Sequence, residues 1–179
     1  MIKNLFKTLI IILTLFIIFI GYFSYFGFTT SKFNSVIKDK IKKQNRDLDI
    51  DLKKVKLHLD LKNIAIKIKT KNPKIILKNS EKIELKEISA NILLSSYFQN
   101  KFAIKNLSIK SKNNQIEKYI DFYKINKKNS IQIILLKQAL KGGMAKINAE
   151  LYFDDFGKIK NNYILTGKIS NVELQIPKN

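Results

Sequence analysis

The sequence contains no cysteine, which excludes disulfides, thiolate zinc sites and cysteine nucleophiles. It has a single arginine, Arg46, and a single histidine, His58. His58 lies between Leu57 and Leu59 on the polar face of an alternating stretch, and with no thiol to join it, it reads as a solvated strand residue. No glycine-rich loop precedes a lysine–serine pair, so Gly142-Gly143 reads as a turn and not as a phosphate cradle. Asp155-Phe156-Gly157 spells the metal-binding triplet of protein kinases, but neither the glycine-rich loop nor the HRD triplet accompanies it. It too reads as a turn between strands. Asp47, Asp49 and Asp51 share one strand face and lack both EF-hand spacing and its closing glutamate. They read as an exposed edge with at most weak affinity for a cation. No catalytic residue, metal site or cofactor is expected, and the chain is not read as an enzyme.

What the sequence has in excess is lysine. Lys and Arg together number 34 against 14 acidic residues, a net charge of +20. Such a surface attracts anionic headgroups or nucleic acid, and it also keeps a β-rich protein soluble. Nucleic-acid modules concentrate arginine and stacking aromatics on one face. Here lysine is spread along every apolar stretch and many aromatics lie near the N-terminus, so nucleic acid is not expected as a partner.

With 179 residues the chain suits one domain plus an N-terminal segment. From Leu5 to Phe28 only Lys7, Thr8, Gly21, Gly27 and two further hydroxyl residues interrupt an apolar run. As a helix it would measure roughly 36 Å, longer than the ~30 Å hydrocarbon core of a bilayer. A cleaved signal peptide has a shorter apolar region and a small-residue cleavage site. This run instead ends in Tyr22, Phe23, Tyr25, Phe26 and Phe28, which resembles an interfacial aromatic belt. An uncleaved single-pass anchor is expected, marked by Leu5, Ile12, Phe19, Tyr22 and Phe28. Lys3 and Lys7 precede it, whereas Lys32, Lys38, Lys40, Lys42, Lys43 and Arg46 follow, so the positive-inside count favours a cytoplasmic C-terminus.

Beyond the anchor, Phe33, Val36, Ile37 and Ile41 recur at helical spacing and predict a short amphipathic helix within 32–46. From Leu48 the period becomes two. Leu48, Ile50 and Leu52 are followed after a phase slip at Lys53-Lys54 by Val55, Leu57, Leu59 and Leu61. A second slip at Lys62-Asn63 leads to Ile64, Ile66 and Ile68. After the break at Asn72-Pro73 come Ile75 and Leu77, then Ile83, Leu85, Ile88, Ala90, Ile92 and Leu94, then Phe102, Ile104, Leu107 and Ile109. Slips of one residue mark turns or bulges, because they send side chains to the other face. A helix is predicted at Asn114–Ile125, and strands at Ile131–Leu136, Ala145–Phe153 and Tyr163–Ile176. Many short strands joined by turns predict a mainly β fold over residues 47–179: an antiparallel sheet with one or two short helices. One apolar face must be buried. A second sheet or the helices would seal it, whereas lipid would line it as a groove; both readings stand at this point. The groove reading nominates Leu57, Leu59, Ile64, Ile66, Ile68, Ile75, Leu77, Ile83 and Leu85.

The anchor, the helix opened by Phe33-Asn34, the stretch DLKKVKLHLDLKNIAIKIKTKNPKIILKN (Asp51 to Asn79) and the strand-turn-strand AELYFDDFGKIKNNYILTGKISNVELQIP (Ala149 to Pro177) together resemble the N-terminal region of AsmA-like proteins. These are bacterial envelope relatives of chorein-type bridge proteins. The resemblance implies a cytoplasmic tail and inner-membrane anchor over 1–31 and, in the periplasm, a β-rich domain whose antiparallel sheet is curved and groove-like. It implies a groove that carries phospholipid acyl chains toward the outer membrane, with membrane phospholipids and other envelope proteins as partners. Family members are longer, so the chain is either the first part of a longer sheet or a short member working with partners. Two other functions fit the pattern: a short anchored jelly-roll subunit of a lipopolysaccharide exporter, and an envelope scaffold that binds no lipid.

Overall fold

The computed structural model of the chain describes residues 2–78, 81–126 and 131–174. The apolar run forms α1 (Ile2–Tyr25), and its Lys3–Tyr25 portion has a mean hydropathy of 2.4 with none of its most apolar window buried. It is long and apolar enough to cross a membrane, a property that signal sequences share. The apolar run extends to Phe28, but the helix stops at Tyr25. Gly27 sits at φ 69°, a left-handed conformation that breaks the helix and reverses the chain. Phe28 therefore lies outside α1 and opens β1 (Phe28–Thr30), so the boundary expected at residue 31 falls inside the sheet domain.

α2 (Phe33–Gln44) occupies the predicted amphipathic segment. It docks on β2 (Leu48–Asp51) through Asp49, whose carboxylate meets Lys38 at 3.1 Å and Lys42 at 3.4 Å. The strands β3 (Val55–Asp60), β4 (Ala65–Lys71), β5 (Lys74–Leu77) and β6 (Lys82–Leu93) follow. After the short helix α3 (Leu94–Phe98) come β7 (Ile104–Ser111), β8 (Asn114–Gln115), α4 (Ile116–Asn126) and α5 (Ile131–Ala139). The long strands β9 (Leu140–Tyr152) and β10 (Ile164–Leu174) close the described chain. All pairings are antiparallel, giving a curved open sheet in the order β1-β3-β4-β6-β7-β9-β10, with β2 on β5, β5 also on β6, and β8 on β9.

The phase slips read in the sequence have a shared structural meaning. Leu85 to Glu87 of β6 carries a bulge opposite Lys110–Ser111. On one edge of β6, β4 pairs beyond that bulge and β5 before it, separated by Asn72 (φ 51°) and Pro73. Likewise β3 pairs with β4 and β2 with β5, separated by Lys53 at φ 57°. The interruptions at Lys53, Asn72-Pro73 and Lys86 thus lie side by side across neighbouring strands. They form a crease that divides the sheet into a long part and a short part. The slip at Lys62-Asn63, by contrast, is the hairpin turn between β3 and β4.

α4 packs on β6, β8 and β9 beside the crease. Leu77, Ile83 and Leu85 form the buried centre of the core there, with Leu48, Ile75, Ile88, Ile109, Tyr119, Phe122 and Ile125 packed around them. A polar cluster fastens the helix. Buried Asn114 accepts the Glu84 N–H at 2.7 Å and donates to the Glu84 carbonyl at 2.9 Å, imitating a strand neighbour. The Tyr119 hydroxyl donates to Ser111 Oγ at 2.7 Å, and Ser111 Oγ also accepts the Ile147 N–H at 2.7 Å.

Two expected elements differ. Ile131–Leu136 is part of the helix α5, where a strand is predicted from its isoleucines. A short continuous apolar run carries no period with which to tell the two apart. Lys137 of α5 pairs with Asp121 of α4. Gly142-Gly143 is not a turn but part of β9, where β10 passes close through an irregular register. A Cβ on Gly143 would lie 3.2 Å from Val172 Cα, so glycine is needed for close strand approach. The part of the expected last strand beyond Leu174 lies outside the described residues.

Candidate functional site

Directly opposed residues in an antiparallel sheet share a face, so the pairing registers assemble it residue by residue. One row runs Phe28, Leu57, Ile68, Ala90, Leu107 and Leu151 across β1, β3, β4, β6, β7 and β9. Beside it runs Leu59, Ile66, Ile92 and Ile104. On the other side lies Val55, Thr70, Ile88, Ile109, Ala149 and Leu165. The bulges at Leu85/Glu87 and Asn91/Ile92 keep this register apolar, because each inserts one residue and so absorbs a change of phase. The opposite face is polar, with rows such as His58, Lys67, Asn91, Asn106 and Tyr152.

The apolar face has two regimes. Near the crease α4 covers it, and Leu77, Ile83 and Leu85 are 2–3 % exposed. Ile75 packs against that cluster. The nominated Leu77, Ile83 and Leu85 therefore belong to a sealed core and line no groove, because α4 and the short part of the sheet enclose them, whereas Ile75 is half-buried at its margin. Farther along the long strands, Leu57, Leu59, Ile66, Ile68, Ile92, Ile104, Leu107 and Leu151 are only half-buried. The nominated Leu57, Leu59, Ile66 and Ile68 are brought together there. Ile64 is not on the face at all: it sits in the β3–β4 turn at φ 47° and is 64 % exposed. Ile92, Ile104, Leu107 and Leu151 complete the half-buried surface. Their alternation was visible in the sequence, but their registers with β3 and β4 were not.

The remaining motifs find ordinary roles. Lys78 pairs with Asp47 at 3.3 Å, and Asp51 accepts the Lys53 N–H at 3.1 Å. Burial raises the Asp49 pKa, but the Lys38 hydrogen bond, the Ile50 N–H and the charges of Lys38 and Lys42 outweigh it and hold the carboxyl below its ordinary value. Among the described residues no group of three potential ligands stands close enough to hold a metal ion. Asp155-Phe156-Gly157 is a turn in which Asp154 Oδ1 accepts the N–H groups of Phe156 and Lys158, each at 2.9 Å. His58 lies on the polar face against Gly27. Partial burial, then Lys56, Lys69 and Lys67, push its pKa below the usual imidazole value, so it is neutral at pH 7. Ser24, His58, Lys62, Lys67 and Lys69 line an open basic cleft between the end of α1 and the sheet.

No family model, curated protein or solved structure matches this chain.

Proposed function

We propose that this protein is a membrane-anchored carrier whose half-open apolar sheet face holds phospholipid acyl chains. α1 is retained as the anchor, with the N-terminus in the cytoplasm and the sheet in the periplasm of a bacterial envelope. The AsmA-like resemblance supports that placement and the direction of traffic toward the outer membrane. The observation that carries the reading is the set of adjoining apolar rows through Leu57, Ile66, Ile68, Ile92 and Leu107, half-buried beside a core that is fully sealed. Each exposed Å² of such surface costs ~25 cal/mol in water, so a hydrophobic occupant is strongly favoured. Acyl chains meet that need without hydrogen bonds, which suits rows of isoleucine and leucine broken only by Thr70 and small residues. The single open sheet favours this reading over a jelly-roll exporter subunit, which needs two stacked sheets. No reaction on the lipid is assigned.

Photo-crosslinkers at Ile66 and Ile92 in growing cells test the proposal, with Leu85 as the sealed control. Phospholipid adducts at the first two positions and none at Leu85 are the expected result. Ile66→Asp should lower the phospholipid that co-purifies while the chain stays membrane-bound. Capture of protein alone at Ile66 and Ile92 would favour the lipid-free scaffold instead.

A further inference from the structure

We propose that the anchor-side rim of the sheet is a second membrane-contact surface, seated in the headgroup layer of the bilayer that α1 crosses. Strand directions place three connections at one end of the sheet: the turn 61–64, the segment 94–103 and the turn 153–163. They are fastened into one rim. The Leu94 N–H donates to the Ile64 carbonyl at 3.1 Å, the Phe102 N–H to the Asp155 carbonyl at 2.9 Å, and the Phe102 and Phe153 rings lie 5.4 Å apart. The anchor arrives at this same end, where Ser24 Oγ on its last turn donates to the Leu59 carbonyl at 3.0 Å.

This rim is apolar where a soluble domain would be polar. Phe156 is 88 % exposed, Phe98 82 % and Ile64 64 %, with Leu61, Ile159 and Tyr163 exposed beside them. The tight turns at the other end, around Lys53, Asn72-Pro73 and Lys112-Asn113, expose no large apolar side chain; apolar exposure at that end lies instead on α5, at Ile131, Leu135 and Leu136, and on Val172 and Leu174 of β10. A cluster of exposed large apolar side chains gathered on connecting loops marks an interaction surface. Ile64 strengthens the case: a β-branched residue at φ 47° is a backbone outlier in a place where asparagine or glycine would be unstrained. Strain kept at an exposed position points to a use for the side chain.

Two features select a bilayer as the occupant. The patch is continuous with the end of a helix that is itself apolar enough to span, so both meet the same interface. Cations also outnumber the carboxylates of Asp60, Asp154 and Asp155 around it: Lys62, Lys105, Lys158 and Lys160 lie on the rim loops and the strand they feed, and the cleft of Lys67 and Lys69 opens beside α1. Aromatic and aliphatic tips ringed by lysines match the layer of anionic headgroups and upper acyl chains. The inference rests on α1 being retained in the membrane, but not on lipid uptake by the sheet face.

The chain has no tryptophan, so one introduced indole reports alone. Phe98→Trp, Phe156→Trp and, at the far end of β10, Val172→Trp are placed singly in the full-length chain. Each is reconstituted into phosphatidylcholine–phosphatidylglycerol vesicles with brominated acyl chains. Loss of most of the emission at positions 98 and 156, with little loss at 172, is the expected result. Unquenched indoles at 98 and 156 in a chain that resists carbonate extraction overturn the rim and leave the anchor standing. A blue-shifted but unquenched indole there means a protein contact and also overturns it, as does equal quenching at 172. A chain extracted by carbonate removes the anchor and the rim together.

Discussion

Replacing leucine by alanine at two positions of one sheet face measures how far α4 seals it. Leu85 is 2 % exposed and touches the cluster of Leu77 and Ile83, so truncation leaves a cavity that the surrounding strands cannot close. A buried Leu→Ala change of this kind costs ~3–4 kcal/mol. Leu107, between Ala90 and Leu151, is half-buried on the open stretch. Its truncation loses contact area but encloses no void, because water or mobile acyl chains refill the space, and the cost falls to about 1 kcal/mol. For a domain of this size each kcal/mol lowers Tm by ~2–4 °C. Thermal unfolding of the full-length chain in phospholipid nanodiscs, followed by β-sheet circular dichroism, should therefore separate the variants by roughly 4–12 °C. Equal losses at the two positions would refute the division into sealed and open regions, and the carrier proposal would lose its main support.

Gly27→Ala should loosen the joint between α1 and the sheet. The new Cβ would lie 2.5 Å from the Leu57 carbonyl oxygen, at a φ of 69° that alone costs an L-residue ~1–2 kcal/mol. A fall in Tm is expected, and an unchanged value would count against the placement of β1. His58 gives a pH signature. Its folded pKa lies below the 6.5 of the free side chain, so the unfolded chain binds the proton first. Its contribution is thus intact above pH 6.5 and declines as pH falls below that value toward the folded pKa. As the chain's one histidine, it should dominate the slope of stability as pH falls below 6.5, and urea titrations of His58→Gln should show that slope flattened.

Alternation made most strands legible, because a period of two is imposed by backbone geometry before any packing is known. It also grouped side chains correctly by face: Leu57, Ile66, Ile75 and Leu85 do lie on one side of the sheet. Alternation does not say what stands over a face. Whether Leu85 is sealed and Ile66 open depends on where α4 lands, and that follows from the crease and from the Asn114 cluster, both built from contacts distant in sequence. Ile131–Leu136 was misread because unbroken apolarity carries no period. Phe28 was misread because hydropathy runs through Gly27 while the left-handed backbone does not.

The long outer edge of β10 has a geometric corollary. Among the described residues β10 pairs only with β9, so its other row of N–H and C=O groups is available to an added strand. Every ladder in this sheet is antiparallel, and a second copy joining β10 to β10 in that sense would be turned end for end. The two α1 helices would then leave from opposite ends of the joined sheet. Copies whose α1 helices spanned one bilayer in the same sense could not form that antiparallel union. Strand polarity at this edge sorts incomers by the side from which they approach.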